Sequence, residues 1–169
     1  MIRFIVEEGA DLPKYETELS SGMDVTAFKI LKVFRGDREI DPENLLKVQE
    51  GFNERGYIKL RSLERILFGT GLKVELPADT EIQVRSRSGV ALKRGLSVLN
   101  SPGTVDADYT GEIGVILYNS TPFLNQVDRG ERIAQLVVAK VERPTIYKMG
   151  IDEISETDRG SGSYGSTGS

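Results

Sequence analysis

Asp106 and Asp108 stand two residues apart in Gly103-Thr104-Val105-Asp106-Ala107-Asp108-Tyr109-Thr110-Gly111. In extended backbone that spacing puts both carboxylates on one face. Glycines at either end let a ligand approach the main chain. One carboxylate can then act as general base toward a water molecule; the plainer reading is a hairpin turn with two solvated acids. Arg85-Ser86-Arg87-Ser88-Gly89 follows an apolar run and precedes a helix start. Guanidinium groups fork onto phosphate oxygens, and Ser88 with the Gly89 N–H can donate at a helix N-terminus. An exposed basic turn has the same composition. Asp24, in Ser21-Gly22-Met23-Asp24-Val25, suits a hydrated cation or an ordinary turn. Gln135 lies inside the apolar run Arg132-Ile133-Ala134-Gln135-Leu136-Val137-Val138. A buried amide needs partners, which a nearby backbone or a catalytic water can supply. The stretch Arg159–Ser169 joins a guanidinium and the Tyr164 ring to a run of glycines and hydroxyls. Those groups suit a polyphosphate carrying a base. A flexible Gly/Ser tail or an expression remnant is the alternative.

Histidine and cysteine are both absent. Disulfides, Cys/His zinc sites, serine–histidine and cysteine nucleophiles and zinc-dependent base deamination are therefore excluded. Catalysis has to rest on carboxylates, Lys, Arg, Tyr or Ser, with a hard cation bound through oxygen if a metal takes part. The 169 residues are 38% apolar and 28% charged, enough for one domain with one core. A formal charge of −4 argues against nonspecific nucleic-acid binding. No apolar run approaches the roughly 20 residues of a membrane span. Residues 1–8 lack a signal-peptide layout, so export is not expected and a cytoplasmic location is.

The elements that must position these residues read mostly as strands. Short β-branched runs recur at Ile2–Val6, Gly71–Leu76, Glu81–Arg85, Gly114–Tyr118 and Arg132–Val141, separated by proline and glycine turns. Their spacing predicts a sandwich or barrel, with a short helix over Ser88–Arg94. The charged stretch Lys29–Phe68 breaks this rhythm. Asp41-Pro42-Glu43 predicts a helix start, and Leu45, Val48 and Phe52 continue at helical spacing. We expect an inserted, surface-mounted subdomain there. Asp152–Asp158 reads as an acidic linker, so the domain runs over 1–158 and the glycine-rich segment over 159–169.

Taken in order, these segments resemble the five motifs of the homotrimeric dUTP pyrophosphatase (dUTPase) family. Ser21 to Ala27 is similar to the first and Arg87 to Ala91 to the second. Asn100 to Gly111 resembles the third, Arg132 to Leu136 the fourth and Arg159 to Gly168 the fifth. Ser86 stands where the family usually has proline, Ser163 where glycine is common, and Tyr164 where phenylalanine is usual. The Lys29–Phe68 stretch resembles the extra segment of some bacteriophage members.

The resemblance implies an all-β, jelly-roll-like distorted barrel that assembles as a trimer. The third motif of one subunit would meet the first, second and fourth of another and the tail of a third. It implies hydrolysis of dUTP to dUMP and pyrophosphate, which limits uracil in DNA and supplies dUMP for dTMP synthesis. Asp106 would be the general base and Gln135 would help position the water. Arg87, Ser88 and Gly89 would hold phosphates, and Mg²⁺ would bridge them with Asp24 touching its water shell. Asn100 and the main chain near Gly103, Thr104, Val105 and Gly114 would pair with uracil, and Tyr109 would pack on the deoxyribose. Arg159, Gly165, Ser166 and Thr167 would close over the γ-phosphate, and Tyr164 over the base. Two rivals stand beside this. One is a related dCTP deaminase. The other is a regulatory protein that contacts a repressor-type partner through 29–68; neither direct nucleic-acid binding nor membrane binding is expected.

Overall fold

A computed structural model describes residues 1–150 together with 154, 155, 157 and 160. The chain opens with β1 (Arg3–Val6), β2 (Lys14–Tyr15), β3 (Gly22–Thr26), β4 (Lys29–Arg35) and β5 (Arg38–Glu39). Helix α1 (Pro42–Arg55) precedes β6 (Tyr57–Leu60), β7 (Arg65–Gly69), β8 (Leu72–Glu75) and β9 (Thr80–Ser86). After α2 (Ser88–Arg94) come β10 (Leu96–Val98), β11 (Gly103–Val105), β12 (Gly114–Asn119), β13 (Asn125–Asp128) and β14 (Arg132–Lys140).

Two five-stranded sheets carry the fold. One runs in the order β10-β12-β7-β4-β5, the other β11-β9-β14-β3-β2. The pairs β1-β8 and β13-β6 form two smaller sheets. Neighbours in the second large sheet are antiparallel throughout. This is an all-β fold of the jelly-roll type.

Strict alternation explains why the inner faces meet. In β3, Met23 and Val25 are buried while Gly22, Asp24 and Thr26 face out. In β9, Thr80, Ile82 and Val84 point inward and Glu81, Gln83 and Arg85 outward. Ile66 and Phe68 of β7 and Val115 and Leu117 of β12 are fully buried against them. Each buried aliphatic or aromatic side chain stabilises the fold by roughly 1.5–3 kcal/mol.

The segment 29–68 is not the separate surface subdomain its charge predicts. β4 and β7, at its two ends, are neighbours in a large sheet, and Ile30, Val33, Ile66 and Phe68 are core. Charged residues occupy the outward positions of these alternating strands and mask the buried ones. The part that stands out is β5 and α1. Asp41 caps α1 by accepting from the Asn44 N–H at 3.0 Å, and Pro42 sits in the first turn. Gly56, at φ 76°, ends it with its N–H on the Phe52 carbonyl. Phe52 is buried against Phe68, ring centroids 6.1 Å apart, so even this helix is tied to the core.

Candidate active site

Four side chains from three of the motif-like segments converge on the outer face of the β9-β14-β3 strands. The register places Asp24 beside Gln135 and Gln135 beside Arg85. The Asp24 carboxylate accepts from Arg87 Nε at 3.0 Å through Oδ1, and Arg132 Nη1 lies 3.3 Å from Oδ2. Asp24 is only 15% exposed, so this charge is largely removed from bulk water and needs its two cations. Arg87 also donates to the Arg132 carbonyl at 2.9 Å, and Arg132 reaches Glu16 at 3.2 Å. Gln135 Nε2 donates to the Ser86 carbonyl at 3.0 Å. A carbonyl can only accept, so the amide NH₂ must face it and Oε1 is turned away.

Arg87 occupies the N-cap position of α2 in extended backbone, without a side-chain cap. Val90 and Ala91 both donate to the Arg87 carbonyl. The space where a side chain at Gly89 would sit is open, which leaves the helix start, with Ser88, accessible to an anion.

The third segment forms a second corner. Gly103, Thr104 and Val105 make up β11, paired with Val84, Gln83 and Ile82 of β9. Gly103 lies tight against Asn100, where a Cβ would stand 3.0 Å from Nδ2. The Ser101–Pro102 bond is cis. The Tyr109 N–H donates to the Asp106 carbonyl at 3.1 Å and its hydroxyl to the Glu112 carbonyl at 2.9 Å. The Tyr109 ring covers Gly111, leaving no room for a Cβ there, while 46% of Tyr109 stays exposed. Gly114 starts β12, and a Cβ on it would meet Leu67 Cδ1 at 2.8 Å.

These two corners do not meet within one chain. Continuing the β11 register beyond Val105 sets Asp106 level with Glu81, whereas Gln135 is level with Arg85. Four register positions are roughly 13 Å along a strand, and β9 stands between β11 and β14. Asp106 is exposed where it stands. A groove of about 970 Å³ lies elsewhere, between α1, β4 and β6, and holds none of the motif residues.

The expected roles of Arg159, Tyr164, Gly165, Ser166 and Thr167 fall outside the described residues. Arg132 and Glu16 belong to the charged network although the sequence reading assigned them no role. Arg132 was legible as part of its motif-like segment; Glu16 carries no local signal, since its partner is 116 positions away in the chain.

Among the described residues, no group of three His, Cys, Asp or Glu stands close enough to hold a metal ion. Asp24 and Glu16 are both engaged by arginine. A lone carboxylate such as Asp24 can meet a hydrated cation through water but does not by itself form a cation cage.

Two arginines, a carboxylate and an amide share this face of the sheet, a set of side chains suited to an anionic ligand. A dUTPase family model matches residues 54–168. The deoxyuridine 5'-triphosphate nucleotidohydrolase of Fusobacterium nucleatum is 43% identical over 167 residues, 99% of this chain and 96% of that protein. The enzyme of the same name from Treponema pallidum is 43% identical over 167 residues, covering 99% and 97%. In fold, the dUTPase of Staphylococcus bacteriophage 80alpha, solved with dUpNHpp, matches with a TM-score of 0.74 at 21% identity, over 100% of this chain and 99% of that one. A dUTPase from phage phi11 of S. aureus, with a coordinated structural Mg(II) ion, matches with a TM-score of 0.66 at 18% identity, over 93% and 99%.

The chain belongs to the dUTPase family, and its activity is that of a dUTP diphosphatase. The match to bacterial relatives of nearly equal length runs through residues 29–68, so that segment is not a mark of phage members alone.

Proposed function

We propose that water attacks the α-phosphorus of dUTP at a site shared between subunits of a homotrimer. The separation of Asp106 from the Asp24–Arg87–Arg132–Gln135 face within one chain is the observation that carries this reading. Residues of one site that a single chain holds apart can be brought together by a second copy. In this arrangement Asp106 of one subunit takes the proton from water as its oxygen bonds to the α-phosphorus. The bridging bond to the β-phosphate breaks, and pyrophosphate leaves with that electron pair. Gln135 of a second subunit accepts a hydrogen bond from the water through Oε1, since its NH₂ is held by Ser86. Arg87, Ser88 and Gly89 bind phosphate oxygens, with Arg87 exchanging its bond to Asp24 for the substrate. Mg²⁺, met by Asp24 through water, would supply charge neutralisation when bound with the substrate.

Uracil is read by Asn100, packed against Gly103, and by the main chain at Gly103, Thr104, Val105 and Gly114, in a pocket that excludes the thymine methyl. Tyr109, fixed through Glu112, packs on the deoxyribose and excludes a 2′-hydroxyl. Arg159, Tyr164, Gly165, Ser166 and Thr167 of a third subunit close over the γ-phosphate and the base. The reading places the enzyme in the cytoplasm, where it removes dUTP from the DNA precursor pool and yields dUMP. Among the described residues no helix is long and apolar enough to cross a membrane. A protein partner of 29–68, such as a repressor, would meet α1 and its groove, because the flanking strands are core.

The test is product analysis with dUTP and dCTP in the presence of Mg²⁺. Pyrophosphate from dUTP and no ammonia from dCTP is expected; ammonia release would establish the deaminase instead.

A further inference from the structure

Gly22 lies in the strand β3 and pairs with Val137, one diagonal step from Gln135 on the same outward face. Its φ is outside the left-handed region, so the backbone at this position accepts any residue. What requires glycine there is the neighbour. A Cβ on Gly22 would overlap Gln135 Oε1 and would stand 3.2 Å from its Cδ and 3.3 Å from its Cβ. The amide oxygen fills the space a Gly22 side chain would take, while its NH₂ is tied to the Ser86 carbonyl on β9. Gln135 is therefore held in one orientation by a bond on β9 and by an absence of side chain on β3.

We infer that Gly22 is a positioning residue for hydrolysis: it leaves the space that lets the Gln135 amide aim its oxygen at the attacking water. This rests on the reading that Gln135 holds that water. Gly22 has no side chain, and the atoms nearest the space it leaves belong to Gln135, so its effect is expected to pass through Gln135.

The test is a double-mutant cycle with Gly22→Ala and Gln135→Ala, reading kcat, KM and the melting curve of the intact enzyme. Alanine at 22 pushes the amide off its bearing. Misplacement on the scale of an ångström is expected to lower kcat by about 10–100-fold, with KM within about twofold. The melting midpoint should move by no more than a few degrees, because the more restricted unfolded chain of alanine offsets the displacement of a flexible side-chain end. In the Gln135→Ala background, Gly22→Ala should change kcat by less than about twofold. A wild-type kcat in Gly22→Ala would overturn the inference, as would an equal loss in the Gln135→Ala background or a lost cooperative melt. A wild-type kcat in Gln135→Ala would instead overturn the role of Gln135, with a Gly22→Ala loss in the same series showing that glycine acts by another route.

Discussion

Asp24 stands between two arginines, Arg87 and Arg132. Its two oxygens face Arg87 and Arg132 separately, so one pair can open without the other. That favours an exchange in which Arg87 turns to substrate while Arg132, steadied by Glu16, keeps Asp24 in place. Asp106 differs in kind. It stands exposed beyond β11, where the proposed shared site would have it meet water. Asp106→Asn keeps the shape of the pocket and removes the base. It is expected to bind a nonhydrolysable dUTP analogue normally and to lose about 10²–10⁴-fold in kcat. Retention of more than a tenth of wild-type turnover in a stopped-time pyrophosphate assay would remove Asp106 from that role.

At the scale of elements, two polar devices fix turns and a helix around the other large sheet. Asn119, at the end of β12, is fully buried and bonded on every side. Its Nδ2 donates one hydrogen to the Phe123 carbonyl and shares the other between the adjacent carbonyls of Leu60 and Arg61, and its Oδ1 accepts from Thr121 and from Asn125 Nδ2. It locks the β6–β7 turn to the β12–β13 turn. Asn119→Ala strands several buried carbonyls and should cost about 3 kcal/mol in chemical denaturation. A loss under about 1 kcal/mol would show that water replaces the amide.

The second device is the α1 cap. The Asn44 backbone N–H, then its side-chain amide, holds the Asp41 carboxyl below its usual value of 3.8. A depressed folded pKa means the cap's contribution is present above the unfolded value and is lost as pH falls through the folded one. Asp41→Ala should lower the melting midpoint by a few degrees at pH 7. The gap to wild type should close as the pH drops below about 4. A gap that stays constant from pH 7 to pH 3 would show that the charge of Asp41 has no part in the cap.

At the scale of the whole molecule, shared sites make a quantitative claim. Asp106→Asn and Arg87→Ala should each be inactive alone, since each spoils every site. When the two are unfolded together and reassembled at equal amounts, a site is intact wherever Asp106 and Arg87 come from the right pair of chains. Random mixing restores about one quarter of wild-type activity if the two residues come from different subunits. Sites built within single chains would recover nothing. Removing residues 159–169 tests the tail in the same frame. With few apolar groups to contribute, its loss should leave the melt and oligomeric state unchanged and impair dUTP hydrolysis strongly. Full activity after truncation would end the lid proposal.

The family was legible in the chain because its motif-like segments are runs of residue types at short spacing. Asp106 with its flanking glycines, the Arg87-Ser88-Gly89 turn and Gln135 within an apolar run all announce themselves locally. So did the α2 helix over Ser88–Arg94 and the strand around Glu81–Arg85, where period and turn residues agree. The strands β4 and β7 did not, because Lys29, Lys32, Arg35 and Arg65 fill outward positions and dilute the apolar signal of Ile30, Val33, Ile66 and Phe68. Gly22 read as a turn glycine, yet its purpose is the side chain of a residue 113 positions later. The placement of Asp24 against Arg87, Arg132 and Gln135, and of Asp106 away from them, belongs to sheet register. Register is set by which distant strands pair and which face each buries, and no local run of residues encodes it.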